Sequence, residues 1–256
     1  VSRFTGKTVV VTGAGGGIGR AAAARLAAEG ATLVLVDRAA VALHETRETI
    51  ERVGTPVLAV EADVTRWTDV QRYVTAATDR FGGIDAFFNN AGVLGPVSPL
   101  TEYPEADFDR VMAVNVKGVW LGLKAVGPAL AARGGGAIVN TASIAGLRGS
   151  PNLVAYTASK HAVIGLTRTA AIELVRRGIR VNAVCPAPIE TPMARELERG
   201  FGRDGAARAH ERLAASIPMR RYGEPDEVAA LVVFLLSPDA GYINGGIYTV
   251  DGGAMA

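Results

Sequence analysis

The chain of 256 residues has one cysteine, Cys185, so no internal disulfide can form, and it has only three histidines. His44, His161 and His210 show no ligand-like spacing, so each reads as a surface or packing residue and no metal is expected. An excess of one charge is also lacking: 27 Lys and Arg against 25 Asp and Glu leave a formal +2, with the basic residues scattered among acidic ones. That balance argues against a polyanion surface, and no nucleic-acid partner is expected. No stretch approaches the roughly eighteen apolar residues of a membrane span, and nothing resembles a secretory h-region. With no disulfide and no membrane partner, a cytoplasmic enzyme is expected. No Pro/Gly/Ser-rich linker divides the chain, so 1–256 is expected to form one dinucleotide-binding and catalytic domain, within the range that single α/β domains reach. Its 49% hydrophobic and 20% charged residues allow a sizeable core.

What the chain does have is alternation. Short β-branched runs at 9–11, 33–36, 57–60, 86–88, 138–140, 180–184 and 247–250 are separated by helical patterns at 18–30, 40–53, 67–81, 104–133, 153–177 and 225–236. The fold class expected is α/β: a doubly wound, mostly parallel, seven-stranded sheet, Rossmann-like, with helices on both faces. Right-handed crossovers then gather the loops that follow the strands along one edge, where ligands bind in open α/β sheets. The region 190–217 interrupts the alternation with Arg195, Arg199, Arg203, Arg208 and Arg212 among Met193, Leu197, Phe201 and Leu213. It reads either as a lid hinged at Gly200, Gly202 and Gly205 or as a solvated surface helix.

The first strand runs into Thr12-Gly13-Ala14-Gly15-Gly16-Gly17-Ile18-Gly19, a glycine-lined turn that opens an Ala-rich helix. Free N–H groups and the dipole of a first helical turn favour an anion, and Gly13, Gly17 and Gly19 allow a tight turn close to a pyrophosphate. Alone, such a turn is equally a tight strand–helix connection. Asp37, at the end of the second strand and eighteen residues beyond Gly19, stands close to the usual offset for an acid that meets the ribose of NAD.

Tyr156 and Lys160 sit four apart in a helical stretch, so they share a face with Cβ atoms roughly 5–6 Å apart. By itself this pair is common on helix surfaces. Ser143 after the fifth strand and Asn115 in the helix 104–133 add a hydroxyl and an amide, and together the four side chains are the parts needed to move a proton while hydride moves to or from a nicotinamide.

From about Lys7 to Gly253 the chain resembles the short-chain dehydrogenase/reductase family. The matching residues are the T-G-x-x-x-G-x-G turn at Thr12–Gly19, Asp63, the segment Asn89-Asn90-Ala91-Gly92, and the tetrad Asn115, Ser143, Tyr156 and Lys160. The resemblance implies that Tyr156 is the general acid/base and that Ser143 hydrogen-bonds the substrate oxygen. It gives Lys160 the nicotinamide ribose and a lowering of the Tyr156 pKa, and Asn115 a water-linked proton relay. A cation ~5 Å from a phenol at an effective dielectric near 20 favours phenolate by about 3 kcal/mol, an upper figure in an open cleft.

The cofactor expected is NAD, since Asp37 accepts from ribose hydroxyls and repels a 2′-phosphate. Arg38 is the counter-argument, because its guanidinium could reach such a phosphate. Gly13, Gly17, Ile18 and Gly19 would hold the pyrophosphate, and Asp63 and Val64 would frame the adenine unless Asp63 merely turns the chain at a strand end. Asn90, with Ala91 and Gly92, would approach the cofactor, Asn90 through its side chain. Resemblance assigns the Ile189 backbone and the Thr191 hydroxyl to the carboxamide, with Pro186 beside them. The stretch Pro186-Ala187-Pro188 departs from the family's Pro-Gly: alanine resists positive φ, and Pro188 pushes Ala187 toward an extended path. The substrate wall expected is Val93, Leu94, Val97, Ile144, Ala145, Leu147, Leu153 and Pro188, with Ser143 and Tyr156 at its base. This suits a neutral secondary alcohol, cyclic or a diol, although Arg148 could hold a carboxylate. The rivals are an NADPH-dependent ketoreductase, such as a 3-oxoacyl-carrier-protein reductase, and a catalytically idle dinucleotide-binding scaffold. Small and apolar residues on several faces of 104–133 and 153–177 imply a homotetramer.

Overall fold

A computed structural model describes residues 2–202 and 205–256. Its frame is a seven-stranded, wholly parallel sheet of β1 (Thr8–Thr12), β2 (Thr32–Asp37), β3 (Val57–Glu61), β4 (Ala86–Asn89), β5 (Gly136–Thr141), β6 (Ile179–Pro186) and β7 (Ile247–Val250). The order is β3-β2-β1-β4-β5-β6-β7, so the winding reverses between β1 and β4. A cleft opens at such a reversal, beyond the carboxyl ends of the strands.

Alternation along each strand feeds two cores. Val9 and Val11 of β1 point to the face covered by α1 (Gly17–Ala28), α2 (Ala40–Glu51) and, further along the chain, the helix 225–236, while Val10 points to the other. That second face is covered by α3 (Trp67–Phe81) and by the helical segments 119–132 and 154–174, through residues such as Tyr73, Leu130 and Val163. Because both faces are buried, the strands read as continuous Val/Ile/Leu runs rather than alternating ones.

The expected helix at 104–133 is continuous but not uniform: α4 (Glu105–Met112) passes through a π turn, Ala113–Gly118, into α5 (Val119–Ala132). The wider turn holds Asn115, which is fully buried. α6 (Val154–Leu174) carries Tyr156 and Lys160 in its first two turns, and Gly178, at φ 74°, stops the chain after a short 3₁₀ turn. The interruption at 190–217 is a helical hairpin of α7 (Pro192–Phe201) and α8 (Ala206–Ala215), with the Thr191 side chain capping α7. Gly202 and Gly205 fall in its corner, whereas Gly200 lies within α7; Arg203 lies outside the described residues. α9 (Pro225–Leu236) completes the fold. No described helix is long and apolar enough to cross a membrane.

Candidate active site

A cavity of about 840 Å3 runs from the glycine turn, across the ends of β4 and β5, to the α7–α8 hairpin. Its cofactor end is lined by Gly13, Gly17, Ile18, Asp37 and Arg38. Gly13 takes φ 66° and would set a Cβ 2.9 Å from Asn90 Nδ2 and 3.0 Å from Ala91 Cα. Gly19 does not line the cavity; it lies under the turn, where a Cβ would stand 2.0 Å from the Gly13 carbonyl oxygen. The turn is thus pressed between the segment after β4, which excludes a side chain at Gly13, and α1, where Gly19 meets the turn, leaving bare backbone facing the cleft at the helix N-terminus. That is a cradle of the size and polarity a pyrophosphate requires.

Asp37 is preorganised. One carboxylate oxygen accepts the Gly15 N–H at 2.9 Å and the other accepts the Ala39 N–H at 3.0 Å. Asp63 and Val64 line a smaller pocket of about 110 Å3 next door, with Gly13, Asp37 and Arg38 also on its wall. Asp63 turns the chain as well, accepting from the Thr65 N–H at 2.9 Å and the Thr65 hydroxyl at 2.7 Å.

The middle of the cavity has Asn90, Ala91, Gly92, Ser143, Tyr156 and Lys160 on its wall. Asn90 lines it, but its side chain is engaged in the protein: Nδ2 donates to the Thr12 carbonyl at 3.1 Å and Oδ1 accepts from the Thr141 hydroxyl at 3.0 Å. Its amide ties together the ends of β1, β4 and β5. Asn115 does not line the cavity. Its Oδ1 accepts the Val93 N–H at 2.8 Å, and its Nδ2 donates to the Val93 carbonyl at 2.9 Å and to the Ser159 hydroxyl at 3.0 Å. It clamps the 92–93 segment to α6 from behind.

Lys160 is almost wholly buried and donates to the Thr141 carbonyl at 2.8 Å, with its Nζ 5.5 Å from the centre of the Tyr156 ring. Burial lowers its pKa to about 8. Burial also raises that of Tyr156, against a hydrogen bond from Ser143 that works to lower it. Burial of the phenolate outweighs that bond. The Ser143 hydroxyl oxygen accepts the Ala145 N–H at 3.1 Å, which fixes its position at the start of the turn 144–146. Cys185 is buried beneath this group, and burial pushes its thiol up to about 11.

Pro186, Pro188, Ile189 and Thr191 line the far wall. Ala187 needs no positive φ: the Ala187 N–H donates to the Val250 carbonyl at 3.1 Å, and the Pro188 carbonyl accepts from Gly223 at 3.1 Å. β6 ends at Pro186, Ala187 keeps one more bond to β7, and the chain bends at Pro188. The Thr191 hydroxyl donates to the Ile189 carbonyl at 3.0 Å and accepts the Ala194 N–H at 3.3 Å, so it caps α7 rather than standing free.

Of the expected substrate wall, Val93, Leu94, Ile144, Ala145, Leu153 and Pro188 are in place. Val97 and Leu147 are not: Val97 packs under Gly200, where a Cβ would meet its Cγ2 at 2.3 Å, and Leu147 is 37% exposed. Met193, Leu197, Phe201, Leu213 and Ile217 of the hairpin region complete the apolar wall, with Arg110, Arg148 and Glu196 also lining the cavity. The sequence reading missed Arg110 and Ile217, which no local pattern distinguishes from surface and core residues.

The family model described as Enoyl-(Acyl carrier protein) reductase matches residues 13–255. The levodione reductase of Leifsonia aquatica is 45% identical over 257 aligned positions, covering 100% of this chain and 96% of that protein. A crystal structure of levodione reductase superposes with a TM-score of 0.96 over 98% of both chains. The chain belongs to the short-chain dehydrogenase/reductase family. A cyclohexanol dehydrogenase of Acinetobacter sp. is 39% identical over 98% of this chain and 96% of its own. An NAD+-bound xylitol dehydrogenase structure, 38% identical, matches with a TM-score of 0.94 over 98% of this chain and 100% of that one. The chain is thus a short-chain dehydrogenase/reductase whose fold binds a dinucleotide of the NAD(P) type and whose chemistry lies between alcohol- and ketone-like substrates.

Proposed function

We propose that the protein is an NAD-dependent dehydrogenase that interconverts a neutral, cyclic secondary alcohol and its ketone. The observation that carries this reading is the convergence of Ser143, Tyr156 and Lys160 on one cavity whose other end holds Asp37 and the side-chain-free glycine turn. The bound nicotinamide would accept or supply hydride. Gly13, Gly17, Ile18 and Gly19 would form the pyrophosphate cradle, and Asp37 would take the adenosine ribose. Asp63 and Val64 would flank the adenine, and Ala91, Gly92, Pro186, Ile189 and Thr191 would shape the space for the nicotinamide end.

Tyr156 exchanges the hydroxyl proton of the substrate. Ser143 accepts from Ala145 and makes only a long 3.5 Å bond to the Pro186 carbonyl, so its hydroxyl proton would turn to the reacting oxygen when substrate is bound. Lys160 remains mostly charged at neutral pH; its ammonium, 5.5 Å from the centre of the Tyr156 ring, would take the nicotinamide ribose and favour the phenolate. Asn115 holds the 92–93 segment and Ser159, so its part in a proton relay is one of positioning. Leu94, Ala145, Leu153 and Pro188 present an apolar wall suited to a ring. The cyclohexanol named in one relative, and the bound NAD+ of the xylitol enzyme, support the same choice. Arg38, which faces the same end of the cavity, is the one observation that favours an NADPH-dependent ketoreductase. In this reading the protein is cytoplasmic and tetrameric, the exposed Trp120 of α5 and Ile172 of α6 lying on faces that a partner subunit would cover, and α7–α8 close over substrate.

The test is a panel of cyclic and acyclic secondary alcohols offered with NAD and with NADP while reduced nicotinamide is followed. Turnover of cyclic alcohols with NAD is the expected result. Turnover confined to NADP, or to acyclic acids, overturns it.

A further inference from the structure

Behind the cavity wall, α7 and α8 are joined by charged groups that none of the chemistry above uses. Glu198 on α7 is 3% exposed. One of its carboxylate oxygens meets Arg195 Nη1 at 2.7 Å and His210 Nδ1, on α8, at 2.9 Å. Arg195 also pairs with Glu190, in the segment that leaves β6, and His210 Nε2 is 3.9 Å from the same Glu190. The Tyr222 ring packs on the imidazole with centroids 4.4 Å apart, and its hydroxyl is buried without a hydrogen-bond partner. Burial works to raise the Glu198 pKa, but its bonds to His210 and Arg195 hold it below the ordinary carboxylate value.

A carboxylate this buried is tolerated only while its partners stay in place, since removing one leaves an uncompensated charge. The cluster therefore fixes three things to one another: the segment after β6, α7 and α8. Met193, Leu197 and Phe201 of α7 line the cavity, and α8 adds Leu213. Leu197 adjoins Glu198 in the chain, so a shift of the carboxylate is a shift of the wall. Gly200 leaves no slack, because its α-carbon rests on Val97.

We infer that Glu198 is a positioning residue for substrate: through His210 and Arg195 it sets the depth of the α7–α8 wall, and so selects how large a ring fits against Tyr156. This rests on the reading of the cavity as a dehydrogenase substrate site. It makes a particular demand on kinetics. The glycine turn and Asp37 would hold cofactor at the far end of the cavity, and Ser143, Tyr156 and Lys160 stand after β5 and on α6, outside the cluster; Glu190, between Ile189 and Thr191, keeps its pairing with Arg195 when Glu198 or His210 is changed.

The test uses the full-length enzyme with NAD and the best cyclic alcohol of the panel, comparing wild type with Glu198→Gln, His210→Asn and the double variant. Each single change is expected to raise KM for the alcohol about tenfold while kcat and the NADH dissociation constant stay within about twofold. The double variant is expected to be little worse than either single one, because both break the same contact. The single variants should also accept a bulkier ring better relative to cyclohexanol. Unchanged KM and unchanged ring preference in variants of normal turnover overturn the inference, as does an equal loss of NADH affinity. If Glu198→Gln does not fold, His210→Asn, at a site one-third exposed, decides alone. Wild-type protein inactive on every alcohol would instead refute the dehydrogenase reading. In that case, protease resistance of the α7–α8 hairpin still tests the clamp: it should fall in both variants, and unchanged resistance overturns the clamp.

Discussion

Asp37→Asn is the sharpest perturbation of the cofactor end, because the structure shows this carboxylate performing two tasks. It holds the Gly15 and Ala39 N–H groups at 2.9 and 3.0 Å, and it faces the cavity. A serine here would lose the turn contacts along with the charge, whereas asparagine keeps the size and one acceptor. A hydrogen bond to a charged group contributes about 1.5–3 kcal/mol and a neutral one about 0.5–1.5, so NAD binding should weaken by about 1–1.5 kcal/mol, roughly tenfold. On the NADP side, two like charges ~5 Å apart at an effective dielectric near 20 repel by about 3 kcal/mol. Water at this half-buried position removes at least half of that, leaving about 1–1.5 kcal/mol and again roughly tenfold. The ratio of kcat/KM for NAD over NADP should therefore fall about a hundredfold. Arg38 supplies the internal control. With the carboxylate neutralised its guanidinium is free to pair with the phosphate, and adding Arg38→Ala should take back most of the NADP gain. Measuring kcat/KM for both cofactors in wild type, single and double variants decides the matter. A selectivity unchanged within threefold would place the ribose contact somewhere other than Asp37.

Three further outcomes follow from the same geometry. Tyr156→Phe should cost more than tenfold in kcat while NADH binding, followed by fluorescence, stays near normal; retention of more than about a tenth of wild-type kcat would remove Tyr156 from the proton transfer. Lys160, lowered to about 8 by burial from an ordinary 10.5, binds fewer protons in the native than in the unfolded state between those two values, so its contribution to stability rises with pH across that window. Lys160→Met should then lose turnover yet unfold at equal or higher denaturant than wild type at pH 7, by up to about 2–3 kcal/mol; a clear destabilisation would contradict it. Burial works to raise the pKa of Asp85, but the Thr8 N–H and Lys7 draw it below the ordinary value, so its stabilisation is present at neutral pH and is lost as pH falls through the native pKa. Asp85→Asn should cost about 1–3 kcal/mol at pH 7 and make the acid limb of the stability curve shallower, as read by urea unfolding from pH 7 to pH 3.

The sheet was legible in the sequence because strands buried on both faces leave β-branched runs that nothing else in the chain imitates, and six of the helical patterns fell close to the helices observed. The glycine turn was legible for a related reason: Gly19 stands where a Cβ would meet a carbonyl oxygen, and such a constraint leaves only one residue type. What spacing could not show is which way a polar side chain is turned. Asn90 and Asn115 stand at the positions that the family resemblance marks, and their amides are engaged by Thr12, Thr141, Val93 and Ser159, Asn90 on the cavity wall and Asn115 behind it. The π turn at Asn115 has no hydrophobic signature, because it adds width to a helix without breaking its apolar face. A departure from Pro-Gly left the loop path open, and the structure shows no positive φ at Ala187, one bond to Val250 and a bend at Pro188. His210 was read as a packing residue because its partners lie on α7 and beyond β6, and contacts made across a helical hairpin leave no local pattern. The reacting groups are thus readable where chemistry restricts the residue type, and the residues that aim them become visible only when the chain has folded back on itself.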